Sequence, residues 1–261
     1  MSFRSKVCLS ILAMSLFGIP AFAIELKEES VATKFKGQGP SCFELLDCTT
    51  GETFRYNKER CAKRLPPQST FKIFNSMAGL DCGVLKDENH PMKWDGHKYE
   101  LSPWNHDQTL KSAVKDSVVW YFQKVAEDIG EERMKKYVQS AHYGNEDITG
   151  GIKDFWIDKS LQISADEQVK FVKDWYFEKL PFSKRSMDIT KKITEVKSTP
   201  KGELHGKTGT GGKDGKIYLG WFVGYIVHAG HPYAFATNIS NGMGRKAREI
   251  TESILTDAGL L

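Results

Sequence analysis

Apolar positions along the chain change rhythm three times. Up to residue 60 they alternate with polar ones in short runs that break at Thr50-Gly51, the period-two pattern of antiparallel strands joined by a tight turn. "STFKIFNSMAGLDCGVL" then sets Phe71, Phe74, Met77, Ala78 and Leu85 near a helical stripe. From residue 86 to about 195 the helical spacing dominates, with loops at "HPMKWDGHKYELSPWN" and "YGNEDITGGIKDFW". Within it, Ser164 caps "SADEQVKFVKDWYFEKL", whose apolar face is Val169, Phe171, Val172 and Trp175. The tail returns to aromatic and β-branched residues. "KIYLGWFVGYIVHAGHPYAFATNIS" predicts two neighbouring strands broken at "HAGH", and "REITESILTDAGLL" predicts a closing helix on Ile250, Ile254 and Leu255. Strands at both ends with helices between predict an α/β (α+β) fold. Its antiparallel sheet is built from both termini and flanked by helices, with an all-helical lobe inserted at roughly 86–195.

The first 23 residues stand apart. Arg4 and Lys6 precede the apolar run "VCLSILAMSLFGIPAFA", which closes on Ala21, Phe22 and Ala23. A basic start, a short apolar centre and small residues at a scissile bond describe a secretory signal peptide, and Pro20 interrupts the run as a membrane anchor would not. The expectation is a periplasmic protein whose single two-lobed domain is residues 24–261. A hydrophobic share of 40% and a charged share of 27% suit a chain with a proper core. The formal charge of +4 is too mild, and its bases too dispersed, for a nucleic-acid partner.

Cysteine usage fits export. Cys8 leaves with the leader, and Cys42, Cys48, Cys61 and Cys82 remain. A hairpin centred on Thr50-Gly51 brings Cys42 opposite residues 59–61, so Cys42–Cys61 is the preferred disulfide, with Cys48 and Cys82 as small buried thiols.

Four short stretches carry candidate chemistry. Of three S-x-x-K spacings (Ser69-Lys72, Ser112-Lys115, Ser198-Lys201), only the first opens an apolar helix, where one turn sets both side chains on one face. Ser69 there reads as a nucleophile with a base beside it, or else as a capping serine with a lysine reaching water. In "KDSVVWYF", Ser117 can relay a proton while Val118 and Val119 keep its neighbourhood dry, or it is simply a cap. "HGKTGTGGK" fails as a phosphate loop because Lys201 stands where a glycine is needed; on a strand edge, Lys207, Thr208 and Gly209 suit an anionic substrate. "YGN" at residues 143–145 precedes Trp156, and Tyr143 and Trp156 are ordinary core aromatics when read alone. No H-E-x-x-H occurs and His228 and His231 flank a turn, so no metal site is expected.

Taken in order, S-x-x-K, S-x-V, Y-G-N and K-T-G, with "PPQSTFKI", "MKWDG", "LQISADEQ", "LPFS" and "GWFVGY", closely resemble the class D β-lactamases from about residue 40 to the C-terminus. The resemblance implies the fold shared by serine β-lactamases and penicillin-binding transpeptidases. It implies that Ser69 is acylated by the β-lactam, and that Lys72 is carboxylated by carbon dioxide to a carbamate acting as general base. Trp156 would support that carbamate, within dry walls from Phe71, Val118 and Val119. Ser117 would pass a proton to the leaving nitrogen with Lys207 as electrostatic partner, and the backbone N–H groups of Ser69 and Thr210 would bind the oxyanion. Thr208, Gly209, Thr210 and Val119 would contact substrate, whose carboxylate would meet Arg245 or Arg248, although Ala247 can occupy the family position instead. No other cofactor is implied. Monomer and homodimer are both open. The rival expectation is a penicillin-binding sensor or transpeptidase domain that acylates without turnover; transpeptidases usually carry Asn where Val119 stands.

Overall fold

The computed structural model describes residues 25–261. The signal-peptide expectation at residues 1–23 lies outside them. Among the described residues no helix is long and apolar enough to cross a membrane.

A short helix α1 (Glu28–Lys34) leads into strands β1 (Ser41–Asp47) and β2 (Thr53–Tyr56), helix α2 (Lys58–Ala62) and a 3-10 turn at Gln68–Phe71 that runs directly into α3 (Lys72–Asp81). A two-stranded ribbon, β3 (Pro91–Met92) and β4 (Gln108–Thr109), precedes α4 (Leu110–Lys115), α5 (Val119–Ile129), α6 (Glu131–Ser140), α7 (Ala165–Tyr176) and α8 (Lys184–Ile193). The chain closes with β5 (Glu195–Ser198), β6 (Gly202–Lys213), β7 (Lys216–His228), β8 (His231–Ser240) and α9 (Gly244–Asp257). The six-stranded sheet has the order β2-β1-β8-β7-β6-β5 and every pairing is antiparallel. Strands from the two ends of the chain meet where β1 pairs β8, Ser41 opposite Ile239.

Side-chain alternation sorts the sheet into two cores. From β7, Phe222 and Ile226 join Val31, Phe43, Leu45, Ile250 and Ile254 under α9 and α1. Leu219, Trp221, Val223 and Tyr225 face the opposite way, into the larger core of α3, α5 and α7. Such two-sided burial is why this strand reads as nearly continuous apolar sequence. Helix α3 is buried from Lys72 through Leu80, so it crosses the middle of that core. Ser164 accepts from Glu167 N while the Glu167 side chain accepts from Ser164 N, a capping box that fixes the start of α7.

The expected Cys42–Cys61 disulfide is not formed: Cys42, Cys48, Cys61 and Cys82 are all free thiols. The hairpin register sets Phe43 opposite Tyr56, and Cys61 reaches β1 from α2 instead of from the paired strand. There its thiol approaches the carbonyls of Phe43 and Tyr56 at 3.8 and 3.6 Å, while Cys42 Sγ accepts from Asn238 Nδ2 at 3.0 Å.

Candidate active site

Sequence periodicity predicts Ser69 at the first turn of an α-helix; it sits instead in the 3-10 turn before α3, half-buried and open to a ligand. Continuous winding from that turn still aligns it with Lys72, whose Nζ donates to Ser69 Oγ at 2.6 Å. Lys72 is 1% exposed. Its Nζ lies 5.5 Å from the Phe122 ring centroid, and among the described residues no carboxylate pairs with it. Burial, reinforced by the charge of Lys207, drives the Lys72 amine well below the usual lysine range. The result is a buried amine with weakened affinity for its proton, set against a hydroxyl.

Phe71 and Trp156 stack with ring centroids 5.5 Å apart at 23°, and both are buried. Backbone N–H of Gln68 donates to Trp156 O at 3.1 Å, tying the Trp156 loop to the turn that carries the serine. The "YGN" residues serve that loop. Asn145 Oδ1 accepts from Gln162 N at 2.9 Å and its Nδ2 donates to Ser160 O at 2.8 Å. Gly144 has φ +58°, and a Cβ there would fall 2.1 Å from Gln162 O, so glycine is required. Tyr143 packs edge-on to Phe71 at 5.5 Å, which makes it a wall residue.

Across the site, Lys207 Nζ donates to Ser117 Oγ at 3.0 Å and to Thr208 O at 3.0 Å. Ser117 is held between α4 and α5 at φ +56°, and its neighbours divide: Val118 is fully buried and Val119 half-buried. Lys207 is also enclosed, and burial lowers its pKa to about 7. β5 pairs β6 only as far as His205, so Lys207, Thr208, Gly209 and Thr210 lie beyond the last paired residue of that edge. Gly209 packs so closely that an added Cβ would lie 3.1 Å from Pro67 O and 3.3 Å from Ser69 N. Thr210 Oγ1 turns the other way and accepts from Gly244 N at 2.9 Å.

The two candidate arginines part company. Arg248 lines a cavity of about 300 Å³ together with Lys115, Gly206, Lys207 and Thr208. Arg245 does not join it: its side chain is 84% exposed and lies 3.8 Å from Glu249, one turn on along the outer face of α9. Ala247 is fully buried in the smaller core. Among the described residues no three His, Cys, Asp or Glu side chains group closely enough to hold a metal. His228 and His231 face each other across the β7–β8 turn, away from this site.

Three residues escaped the sequence reading: Gln68, Asp158 and Tyr218. The Gln68 side chain donates to Asp158, as does the Tyr218 phenol. They stand 90 and 60 residues apart, and no spacing or motif links them.

The cleft thus carries a serine–lysine pair on one wall and a lysine–serine pair on the other. Residues 28–257 match the family model of the penicillin binding protein transpeptidase domain. The probable β-lactamase YbxI of Bacillus subtilis is 40% identical, over 96% of this chain and 97% of its own length. A crystal structure of a class D β-lactamase from Bacillus subtilis superposes with a TM-score of 0.86 at 43% identity, covering 91% of this chain and 99% of that one. The chain belongs to the class D β-lactamases. The regulatory protein BlaR1 of Bacillus licheniformis is similar too, 35% identical over 93% of this class D chain but only 40% of the receptor's length.

Proposed function

We propose that this class D β-lactamase opens β-lactam rings through an acyl-enzyme on Ser69, with Lys72 in its carboxylated form as general base. The observation that carries the reading is the 2.6 Å contact between a fully enclosed Lys72 amine and the Ser69 hydroxyl.

An unpaired ammonium in that pocket is costly, so the amine gives up its proton. A neutral amine is nucleophilic toward carbon dioxide: its nitrogen bonds the carbon, one N–H proton leaves, and a carbamate anion remains. The anion then sits in the same apolar enclosure as the Lys207 cation, a better electrostatic match than two ammoniums. Trp156 shields it, with Phe71 and Val118 keeping water away.

The carbamate takes the Ser69 proton as Oγ attacks the lactam carbonyl. Backbone N–H groups of Ser69 and Thr210 meet the developing oxyanion, an interaction worth about two to three orders of magnitude in rate. The C–N bond breaks and the ring nitrogen takes a proton from Ser117, which Lys207 replenishes. The proton that the carbamate took from Ser69 passes to the Lys207 amine, which restores both groups; the carbamate then deprotonates water, the hydroxide adds to the ester carbonyl, and that proton returns to Ser69 Oγ as the ester C–O bond breaks. Substrate carboxylate fits the Lys207, Thr208 and Arg248 edge, beside Val119 and Gly209. Export by the leader at residues 1–23 would deliver the enzyme to the periplasm.

Steady nitrocefin turnover, with intact-mass detection of one transient Ser69 adduct on benzylpenicillin, tests the reading. The similarity to BlaR1 favours one rival, a sensor that acylates and stops. A stoichiometric burst followed by no turnover would establish that rival.

A further inference from the structure

Gln68 takes no part in the chemistry above, yet it is 2% exposed and immediately precedes the nucleophile. Its φ of +53° is a left-handed conformation that a glutamine seldom adopts without support. The support comes from both of its amides. The backbone N–H donates to Trp156 O at 3.1 Å, and side-chain Nε2 donates to Asp158 and to Tyr218 OH, the latter at 3.1 Å. The Tyr218 phenol, on β7, donates to the same Asp158 Oδ1. One carboxylate oxygen, two residues beyond Trp156, thus gathers donors from the segment before Ser69 and from the sheet. Asp158 is itself left-handed, at φ +55°. β6 leaves room for the cluster only because residue 211 is glycine. A Cβ there would lie 2.8 Å from Gln68 Nε2 and 2.9 Å from the Tyr218 ring.

We infer that Gln68, Asp158 and Tyr218 are positioning residues: a clamp that fixes the Ser69 turn and the Trp156 loop against the β6–β7 hairpin. None touches the reacting atoms. Released from Asp158, the left-handed Gln68 relaxes and the Ser69 amide, bonded to it, moves with it. Trp156, held by the same residue, loosens at the same time. Displacement of reacting groups by an ångström costs about a hundredfold in rate. The inference rests on Ser69 being the nucleophile, and it holds whether or not Lys72 is carboxylated.

The test is a mutant cycle read in single-turnover acylation by benzylpenicillin, with kcat, KM and thermal midpoint measured alongside. Asp158→Ala and Gly211→Ala are expected to slow acylation by about ten- to a hundredfold, with KM changing less. Tyr218→Phe should lose less, because Gln68 still holds the carboxylate. The Asp158→Ala/Tyr218→Phe double variant should be slower than Asp158→Ala by less than the Tyr218→Phe loss measured alone, since without Asp158 the phenol keeps only its direct hydrogen bond from Gln68. Asp158→Asn, which keeps an acceptor oxygen, should recover part of the loss. Acylation by Asp158→Ala within about twofold of wild type, or single losses that add in the double variant, would overturn the clamp. A rate loss accounted for wholly by a smaller folded fraction would overturn it as well. Should Asp158→Ala fail to fold, Tyr218→Phe and Gly211→Ala carry the same comparison. Wild-type activity indifferent to bicarbonate would remove the carbamate and leave this cycle intact.

Discussion

Two regions of the molecule bury ionisable groups, and they handle them in opposite ways. On β1, Glu44 is 1% exposed but has company: Arg55 Nη2 lies 3.1 Å from its Oε1, and Asp166 binds the same arginine at 2.7 Å. In the cleft, Lys72 and Lys207 are as deeply enclosed, and their side-chain partners are hydroxyls, Ser69 and Ser117, with no carboxylate in ion-pair reach among the described residues. The first is a structural cluster, where buried Glu44 holds its proton and the Arg55 charge is met by Asp166. The second leaves two amines without compensation, which depresses both pKa values. Burial alone therefore does not mark a catalytic group; burial without a counter-charge, beside a hydroxyl, does.

The sharpest way to break that contrast is Lys72→Ala. Loss of the general base should lower kcat by about two to four orders of magnitude and leave a long-lived acyl-enzyme in the intact-mass spectrum after benzylpenicillin. A variant that still turns over freely would place the base elsewhere. Acidification comes next. If Lys72 is carboxylated as proposed, falling pH returns the proton to it and releases carbon dioxide, so nitrocefin turnover should decline and recover on adding bicarbonate at constant pH. No recovery would mean that the amine itself, not a carbamate, is the base.

The arginines sharpen the cleft side further. Arg248→Ala should raise KM for penicillins about ten- to a hundredfold, the worth of a charge-assisted hydrogen bond, with kcat less affected. Arg245→Ala, in solvent, should change neither. The smallest effect belongs to the structural cluster. Burial, with the adjacent Asp166 adding to it, lifts the Glu44 pKa from 4.5 to about 9. The folded chain then keeps a proton that the unfolded chain has shed. This contribution is full below the ordinary carboxylate value and drains away as pH rises toward 9. Glu44→Gln, which never ionises, should gain on wild type by on the order of 1–3 kcal/mol in urea melts between pH 5 and pH 8, with turnover unchanged. A gap that fails to widen with pH would show Glu44 already ionised against Arg55.

Much of the architecture is legible in local pattern. The β7 and β8 strands, the cap at Ser164 and the closing helix all follow from short-range periodicity and turn residues, because each answers to neighbours a few positions away. The spacing of Ser69 and Lys72 survives the replacement of an α-turn by a 3-10 turn, since both windings bring residues three apart to one side. Hairpin register was less accessible. Shifting it by a few residues moves Cys61 from a paired strand onto α2, from where its thiol still meets that of Cys42, with no disulfide between them.

Sequence by itself determined the order of elements, the reactive pair one turn apart and the family to which the chain belongs, all properties carried by neighbouring residues. Only the tertiary structure decided that Lys72 has no counter-ion among the described residues, that Arg248 rather than Arg245 meets the cleft, and that Gln68 and Tyr218 converge on one oxygen of Asp158. The physical reason is range. Periodicity records which face a residue prefers, whereas electrostatic environment and loop docking depend on groups brought together from 60 to 90 residues away, on which local spacing carries no information.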